Sequence, residues 1–553
     1  MNTLMEETNE IKVDVLVVGG GLAALRAALA SKECGANVAI VSKGKVGRSG
    51  STAISSGAMV ACNLNDSHSD SPEQFVKDMV KAGHYLNDKA LAMVIAEESA
   101  AVAKDLERFG IRFEPMLLGK IHGHSAQRGL KAPPYEGQTK GLSITLPLRK
   151  AVEQLGILVL DRHPVLELSI NEGRIAGALA FDEVNSLFRI IRCKSVVLAT
   201  GGCAHLYNQT NVTNDIMGDG IALALRSGAV LKDMEFMQFH PTRVIHPVSI
   251  FLSDVFGVLG AVLRDCNGRP FMYDYHPDGD KAPRDARAWA IFQEVARGNG
   301  VHGGVYLDCS KVSVEKMEKW MPAYLKAVQR IPGVDFPTTP LVVGPSAHFS
   351  IGGVAVDKDG ATNVPGLYAA GEVTGGIHGS NRLGGIGLTE ALVMGKRAGD
   401  AAAAVAQRVP YCTVPKIEWD SLCKVGDIQT DCTPLNELKR RLRKTMWTYV
   451  SLSRSARGLE SALTEIRELR KQAPRFVTAV NQLAKLVELQ LCLDTAESIS
   501  ASALARCESR GSHQREDFPN ESQEWLGSIL VNRYNNKINV KFQPMPLKQY
   551  KTK

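Results

Sequence analysis

The chain has 553 residues, 44% hydrophobic and 22% charged, with a formal net charge of +7. That length allows about three to four structural units with ample apolar material for a core, and no uninterrupted apolar run reaches the roughly 18 residues of a membrane span. The mild positive charge forms no long stripe, which excludes nucleic acid as a partner; "ELKRRLRK" at 437–444 reads as a solvated helix face.

The N-terminal "MNTLMEETNEIK" is acidic and polar, without the basic and apolar segments of a secretory leader. A cytoplasmic location is expected, with membrane contact only through a partner. Next, "VDVLVVGGGLAALRAALASKECGANVAIVSK" reads as a buried strand, a glycine turn, an Ala-rich helix and a second strand. Gly19, Gly21 and Ala24 fill a G-x-G-x-x-A pattern at that junction, where backbone N–H groups can approach a dinucleotide pyrophosphate. The acidic residue that would hold a ribose after the second strand is missing, Ser42 and Lys43 standing there, which argues against a plain nicotinamide dehydrogenase. "RSGSTAISSG" follows, with almost nothing to build a core: a linker, or a bare backbone surface against which something flat can lie.

"SVVLATGG" (195–202) and "GLYAAGEVTGG" (366–376) repeat the strand-to-glycine design. One nucleotide-binding sheet is therefore expected to be assembled from distant parts of the chain around an insert at 233–345, rich in His, Asp, Arg and Pro. From about residue 430, apolar positions recur at three and four spacing, which predicts a bundle of a few antiparallel helices whose Leu and Met stripes are core. The tail "NVKFQPMPLKQYKTK" reads as a surface extension. The expected fold is α/β: a Rossmann-like dinucleotide-binding domain (1–232 and 346–415), an inserted α+β capping domain (233–345), a helical bundle (416–510) and a C-terminal extension (511–553). Eleven cysteines, none in C-x-x-C spacing, read as reduced packing residues, and no metal site is expected in the chain itself.

The segments "VVGGGLAALRAA", "ATGGCAHLY", "GDGIALALRSGA", "EFMQFHPT", "GPSAHFSIGG", "AAGEVTGGIHGSNRLGGIGLTEALVMGKRAG" and "ESRGSHQREDFP" stand in family order over nearly the whole chain. By them it resembles the flavoprotein-subunit family of succinate dehydrogenase and fumarate reductase, which also includes L-aspartate oxidase. The resemblance implies FAD, where the glycine spacing alone implies only a dinucleotide. It places Gly19, Gly21 and Ala24 at the pyrophosphate and Ser42 and Lys43 near the adenosine. It lines the rest of the cofactor with Ser49, Ser51, Thr52, Gly57, Ala199, Thr200, Gly201, Asp219, Glu372, Gly387 and Leu388.

The resemblance further implies hydride transfer between the flavin N5 and a dicarboxylate such as fumarate or succinate. Two anions must then be oriented, which favours Arg and His donors in a water-poor pocket. The family's residues for this have counterparts in His240, Ser253, Asp254, His348 and Arg382. Arg284 matches the arginine thought to protonate the substrate carbon; with a reference pKa above about 12 it is an awkward proton carrier, and neutralising a carboxylate is the alternative. A departure stands in "SDVFGVLG": Ser253 and Asp254 replace Thr and Glu, while Gly257 and Leu259 replace Arg and Glu of the family's proton relay. Water, Arg243 or His246 would have to bridge the gap, or the substrate is not plain fumarate. "GHSAQR", with His124 and Arg128, partly resembles an aspartate-oxidase stretch and reads either as shaping access to the site or as a surface loop.

Relatives that bind flavin covalently carry a His in "RSHT"; Gly50 and Ser51 stand before Thr52 in this chain, so noncovalent FAD is expected. The expected function is the catalytic subunit of a fumarate reductase or succinate dehydrogenase type complex, exchanging electrons with a separate iron–sulfur subunit. The alternatives are L-aspartate oxidase and a non-catalytic flavoprotein electron relay.

Overall fold

A computed structural model describes residues 10–62, 70–116, 123–138, 140–253, 255–415, 424–425, 434–474, 476–477 and 480–546. The first apolar run forms strand β1 (Val15–Val18), every side chain buried, followed by helix α1 (Leu22–Glu33) and strand β2 (Val38–Ser42). Strands β3 (Leu158–Asp161) and β4 (Ser195–Leu198) come from farther along. The insert contributes β5 (Met237–His246), helix α2 (Arg284–Ala296) and β6 (Leu341–Ser350). The chain then returns with β7 (Leu367–Ala369) and helix α3 (Ile386–Ala406).

Hydrogen bonding orders the central sheet β7-β4-β1-β2-β3, with all neighbours parallel. Such strands are covered on both faces, which is why they read as continuous Val-rich runs. The order reverses between β1 and β4, and the crevice outside the carboxyl ends of these strands is where a doubly wound sheet takes its ligand. Helix α3 packs closely on α1 because residue 399 is glycine: a Cβ there would stand 2.3 Å from Ala27 O.

The insert has its own core, with Val244, Phe256, Phe271, Ile291, Leu307 and Val343 buried together. Its antiparallel sheet is built on β5 and β6, flanked by Ile250–Phe251, Val305–Asp308 and Val262–Arg264. Strand β6 passes straight through residue 345 and carries His348 and Ser350 to the central domain. The β5–β6 register shifts at Gln238/Phe239 and at His240/Arg243; irregularities of this kind re-aim side chains beside functional sites.

Helices α4 (Leu435–Val450), α5 (Ala456–Gln472) and α6 (Val480–Ala505) bury stripes such as Leu438, Leu442 and Met446. These join one apolar cluster with the back of the central sheet, so the bundle has no separate core. The basic run at 437–444 is more engaged than a solvated face. Lys439 pairs with Glu488, Arg441 Nη2 with Glu465 at 2.7 Å, and Arg443 Nε donates to His205 O at 2.9 Å. The C-terminal segment forms a hairpin of β8 (Gly527–Tyr534) and β9 (Lys537–Pro544). Asn535 and Asn536 supply the turn with φ of 48° and 59°, a left-handed pair that suits a two-residue hairpin. Strand β8 pairs with Leu231–Lys232 and β9 with β8, so residues 539–544 of the expected surface extension form the edge strand of a five-stranded sheet, while 547–553 lie outside the described residues.

Candidate active site

At the β1 end the chain turns sharply at Gly19, whose φ is +132° and where a Cβ would lie 2.1 Å from Ala199 O. The turn lets the ends of β1 and β4 approach and leaves the start of α1 without a side-chain cap. The start of α1 faces a continuous cleft, where Leu22 N donates to Thr52 Oγ1 at 3.3 Å. Gly19, Gly21, Ser42 and Lys43 line one end. Ser49, Ser51, Thr52, Ala199, Thr200, Gly201, Asp219, Glu372, Gly387 and Leu388 also line the cleft. Arg284, Ser253, His348 and Arg382 line the same cleft at its far end.

Three expected site residues are not at the cleft surface. Ala24 is fully buried in the packing of α1 and therefore cannot touch a pyrophosphate; a small residue there permits close helix–sheet packing. Gly57 faces the chain instead, where a Cβ would stand 2.7 Å from Lys140 O. His240 is buried behind the rings of Phe251 and His348, at centroid distances of 4.8 and 5.2 Å. Asp254 lies outside the described residues.

The cleft wall suits a ligand rich in phosphate and hydroxyl groups. Ser51 Oγ, Thr200 Oγ1 and Asp219 Oδ1 are buried there without a hydrogen-bond partner among the described residues, and buried polar atoms are ordinarily paired. Glu372 accepts from Ser350 N at 3.0 Å, and burial pushes its carboxyl up to about 7. Lys43 bonds both Asp219 and Glu488, the latter at 3.0 Å. Against the desolvation of burial, these carboxylates hold the ammonium above its usual value. Asp219, from a different segment, thus brings a carboxylate to the end of β2.

At the far end, the arginines are oriented by amides that residue type alone does not flag. Arg284 Nη1 donates to Gln238 Oε1 at 3.1 Å, and Gln238 Nε2 donates to Asn381 Oδ1 at 2.9 Å and Arg382 O at 2.8 Å. Gln238 in "QFHPT" and Asn381 in "SNRLGG" adjoin residues already singled out, so position within the motifs is the one signal that could have found them. Arg382 Nη2 lies 3.3 Å from His348 Nε2, and His348 Nδ1 lies 3.1 Å from Asn211 Oδ1. Since Arg can only donate, Nε2 is the acceptor in that contact. Arg382 also lies over Phe349, 4.3 Å from its centroid. The result is a cationic pocket between Phe251 and Phe349.

His124 and Arg128 are buried side chains and not a surface loop. Arg128 is buried on Asp70 and Asp78 at 2.5 and 2.6 Å. Burial pushes the His124 ring down to about 4, and its Nε2 donates to Gly384 O at 2.8 Å. The pair supports, from behind, the loop that carries Arg382. Arg243 is held by Gln209 and Ser249 at 2.8 and 2.9 Å, and His246 stacks on His302 at 3.8 Å. Both side chains are engaged in these contacts, and neither is assigned as the missing relay.

Residues 14–388 match the FAD binding domain family, and residues 439–553 match the family described as fumarate reductase flavoprotein C-term. The chain belongs to the succinate dehydrogenase and fumarate reductase flavoprotein family. It is 35% identical to a fumarate reductase (CoM/CoB) subunit of Methanothermobacter marburgensis, over 95% of this chain and 98% of that one. It is 34% identical to the L-aspartate oxidase of Pseudomonas aeruginosa, over 94% and 98%. Among solved structures, quinol fumarate reductase FrdA of E. coli superposes with a TM-score of 0.87 at 26% identity, covering 97% of both chains. The flavoprotein is thus an FAD-dependent oxidoreductase with the cofactor-binding architecture of that family. Among the described residues no helix is long and apolar enough to cross a membrane.

Proposed function

We propose that this flavoprotein reduces the C=C bond of a small dicarboxylate such as fumarate, as the catalytic subunit of a fumarate reductase or succinate dehydrogenase type system. The observation that carries the reading is the arginine pair: Arg284 and Arg382, tied to one another by Gln238, face the cleft that begins at the glycine turn. FAD, when bound, supplies hydride chemistry that no side chain offers. The chain's own residues bind the two carboxylates, exclude water and handle the proton. Arg382, which lines the cleft with Ser253, suits one carboxylate, and His348 shares a hydrogen bond with Arg382. Arg284 is placed to protonate the substrate carbon or to neutralise the second carboxylate. Phe251 and Phe349 reduce the local dielectric, which strengthens each of these interactions.

A separate iron–sulfur protein is the proposed electron source, since the eleven cysteines show no cluster spacing. The second reading, L-aspartate oxidase, is favoured by the comparable identity to that enzyme. Anaerobic reoxidation of the photoreduced flavoprotein by a panel of dicarboxylates separates the two. Rapid oxidation by fumarate, without iminoaspartate formation from aspartate, is the expected result; iminoaspartate formation would favour the second reading, and inertness toward every dicarboxylate would sink the first.

Noncovalent FAD is part of the proposal. Residues 50–54 form a short helix of Gly, Ser, Thr, Ala and Ile along the cleft, with no imidazole to alkylate. Acid precipitation should leave the yellow colour in the supernatant; colour in the pellet would contradict it.

A further inference from the structure

Beyond the helix Pro72–Ala82, His84 and Tyr85 adopt left-handed backbone with φ of 50° and 66°, a conformation that costs a bulky residue energy and persists where the surroundings enforce it. The turn aims the His84 ring at carboxylates from two other parts of the chain. Nε2 lies 3.2 Å from Asp285 Oδ2 and Nδ1 lies 2.6 Å from Glu521 Oε1. With an acceptor at each nitrogen, only the doubly protonated ring donates to both. Arg510 closes the arrangement, donating to His84 O and to Glu521 Oε2 at 3.2 Å each, and is itself held by Glu508. On the near side, Lys81 contributes its carbonyl to the His84 N–H.

Asp285 follows Arg284 in the first turn of α2. Its Oδ1 accepts from Asn381 Nδ2 at 2.9 Å, which leaves the Asn381 oxygen for Gln238 Nε2 and the Gln238 oxygen for Arg284. An anion at Asp285 therefore sets the direction of both amides, and with it the group that meets the arginine.

We propose that His84 is a positioning residue for the arginine pair. As an imidazolium between Asp285 and Glu521, it holds in place the Asp285 carboxylate that orients Asn381 and Gln238, and so the spacing of Arg284 and Arg382 for two carboxylates. The inference rests on the dicarboxylate reading for its ligand. Burial disfavours the cation, but Asp285 and Glu521 outweigh it and raise the ring to about 9. The positioning charge is present at neutral pH and is lost as pH rises through that value.

The test uses the FAD-loaded full chain, with fumarate as oxidant and malonate as a non-reacting probe read by flavin absorbance. His84→Gln should raise KM for fumarate and Kd for malonate about tenfold or more at neutral pH, with a smaller change in kcat. The wild type should show the same weakening between about pH 8 and pH 10. His84→Lys, which stays charged to about 10.4, should shift that rise upward, and His84→Gln should abolish it. Hydrogen exchange at 284–288 and 380–383, which needs no substrate, should quicken in His84→Gln. If the wild type neither reacts with fumarate nor binds malonate, the dicarboxylate reading falls and exchange alone decides the positioning role. Unchanged exchange, a wild-type KM in His84→Gln, or a flat wild-type pH profile would overturn the proposal.

Discussion

Arg284→Ala is expected to slow reoxidation of the photoreduced flavoprotein by fumarate about 10³-fold, with FAD content and folding intact. Arg284 is half-buried at the start of α2 and lines the cleft, and its side chain is anchored through Nη1 on Gln238 Oε1. Removing it deletes a cation from the substrate end without touching the glycine turn, so the defect should fall on the dicarboxylate reaction alone. Arg284→Lys tests the fork. A lysine keeps the charge but not the planar fork that holds both Gln238 and a ligand. Near-normal rates in Arg284→Lys would show that a cation without the fork suffices, and normal rates in Arg284→Ala would remove the residue from the chemistry.

Gly19→Ala is expected to yield protein without FAD. Two independent costs meet at this position: φ of +132° is a region that L side chains rarely adopt, and the added Cβ would lie 2.1 Å from Ala199 O. Relief requires the carboxyl ends of β1 and β4 to separate, and those ends form the crevice itself. Backbone strain of this sort costs about 1–3 kcal/mol before any clash is counted. Loss of visible flavin absorbance in the purified variant, with secondary structure retained by circular dichroism, is the expected outcome. A fully yellow Gly19→Ala would show that the turn does not determine cofactor binding.

Both predictions rest on residues legible in the sequence. The glycine turn is visible there because backbone geometry demands a particular residue type at a particular spacing after a buried strand. Arg284, Arg382 and His348 are visible because their motifs are long and ordered. What surrounds them is not. Gln238 and Asn381 are ordinary amides, and they become positioning groups only because Gln238 meets Arg284 from 46 residues away, Asn381 meets Asp285 from 96 and the two meet each other across 143. "RSGSTAISSG", which residue type leaves open between linker and ligand surface, lies along the cleft as small side chains allow.

By itself, then, the sequence determined the βαβ start of the sheet, the insert, the bundle and the motif residues, since strand periodicity, glycine spacing and local order are properties of neighbouring residues. Only the tertiary structure decided that Ala24 and Gly57 are packing positions and that His240 stands behind Phe251 and His348. It likewise placed Arg128 as a buried ion-paired support and Asp219 at the end of β2. Each of these depends on contacts between segments far apart in the chain, where burial and partner geometry, rather than residue type, set what a side chain can do.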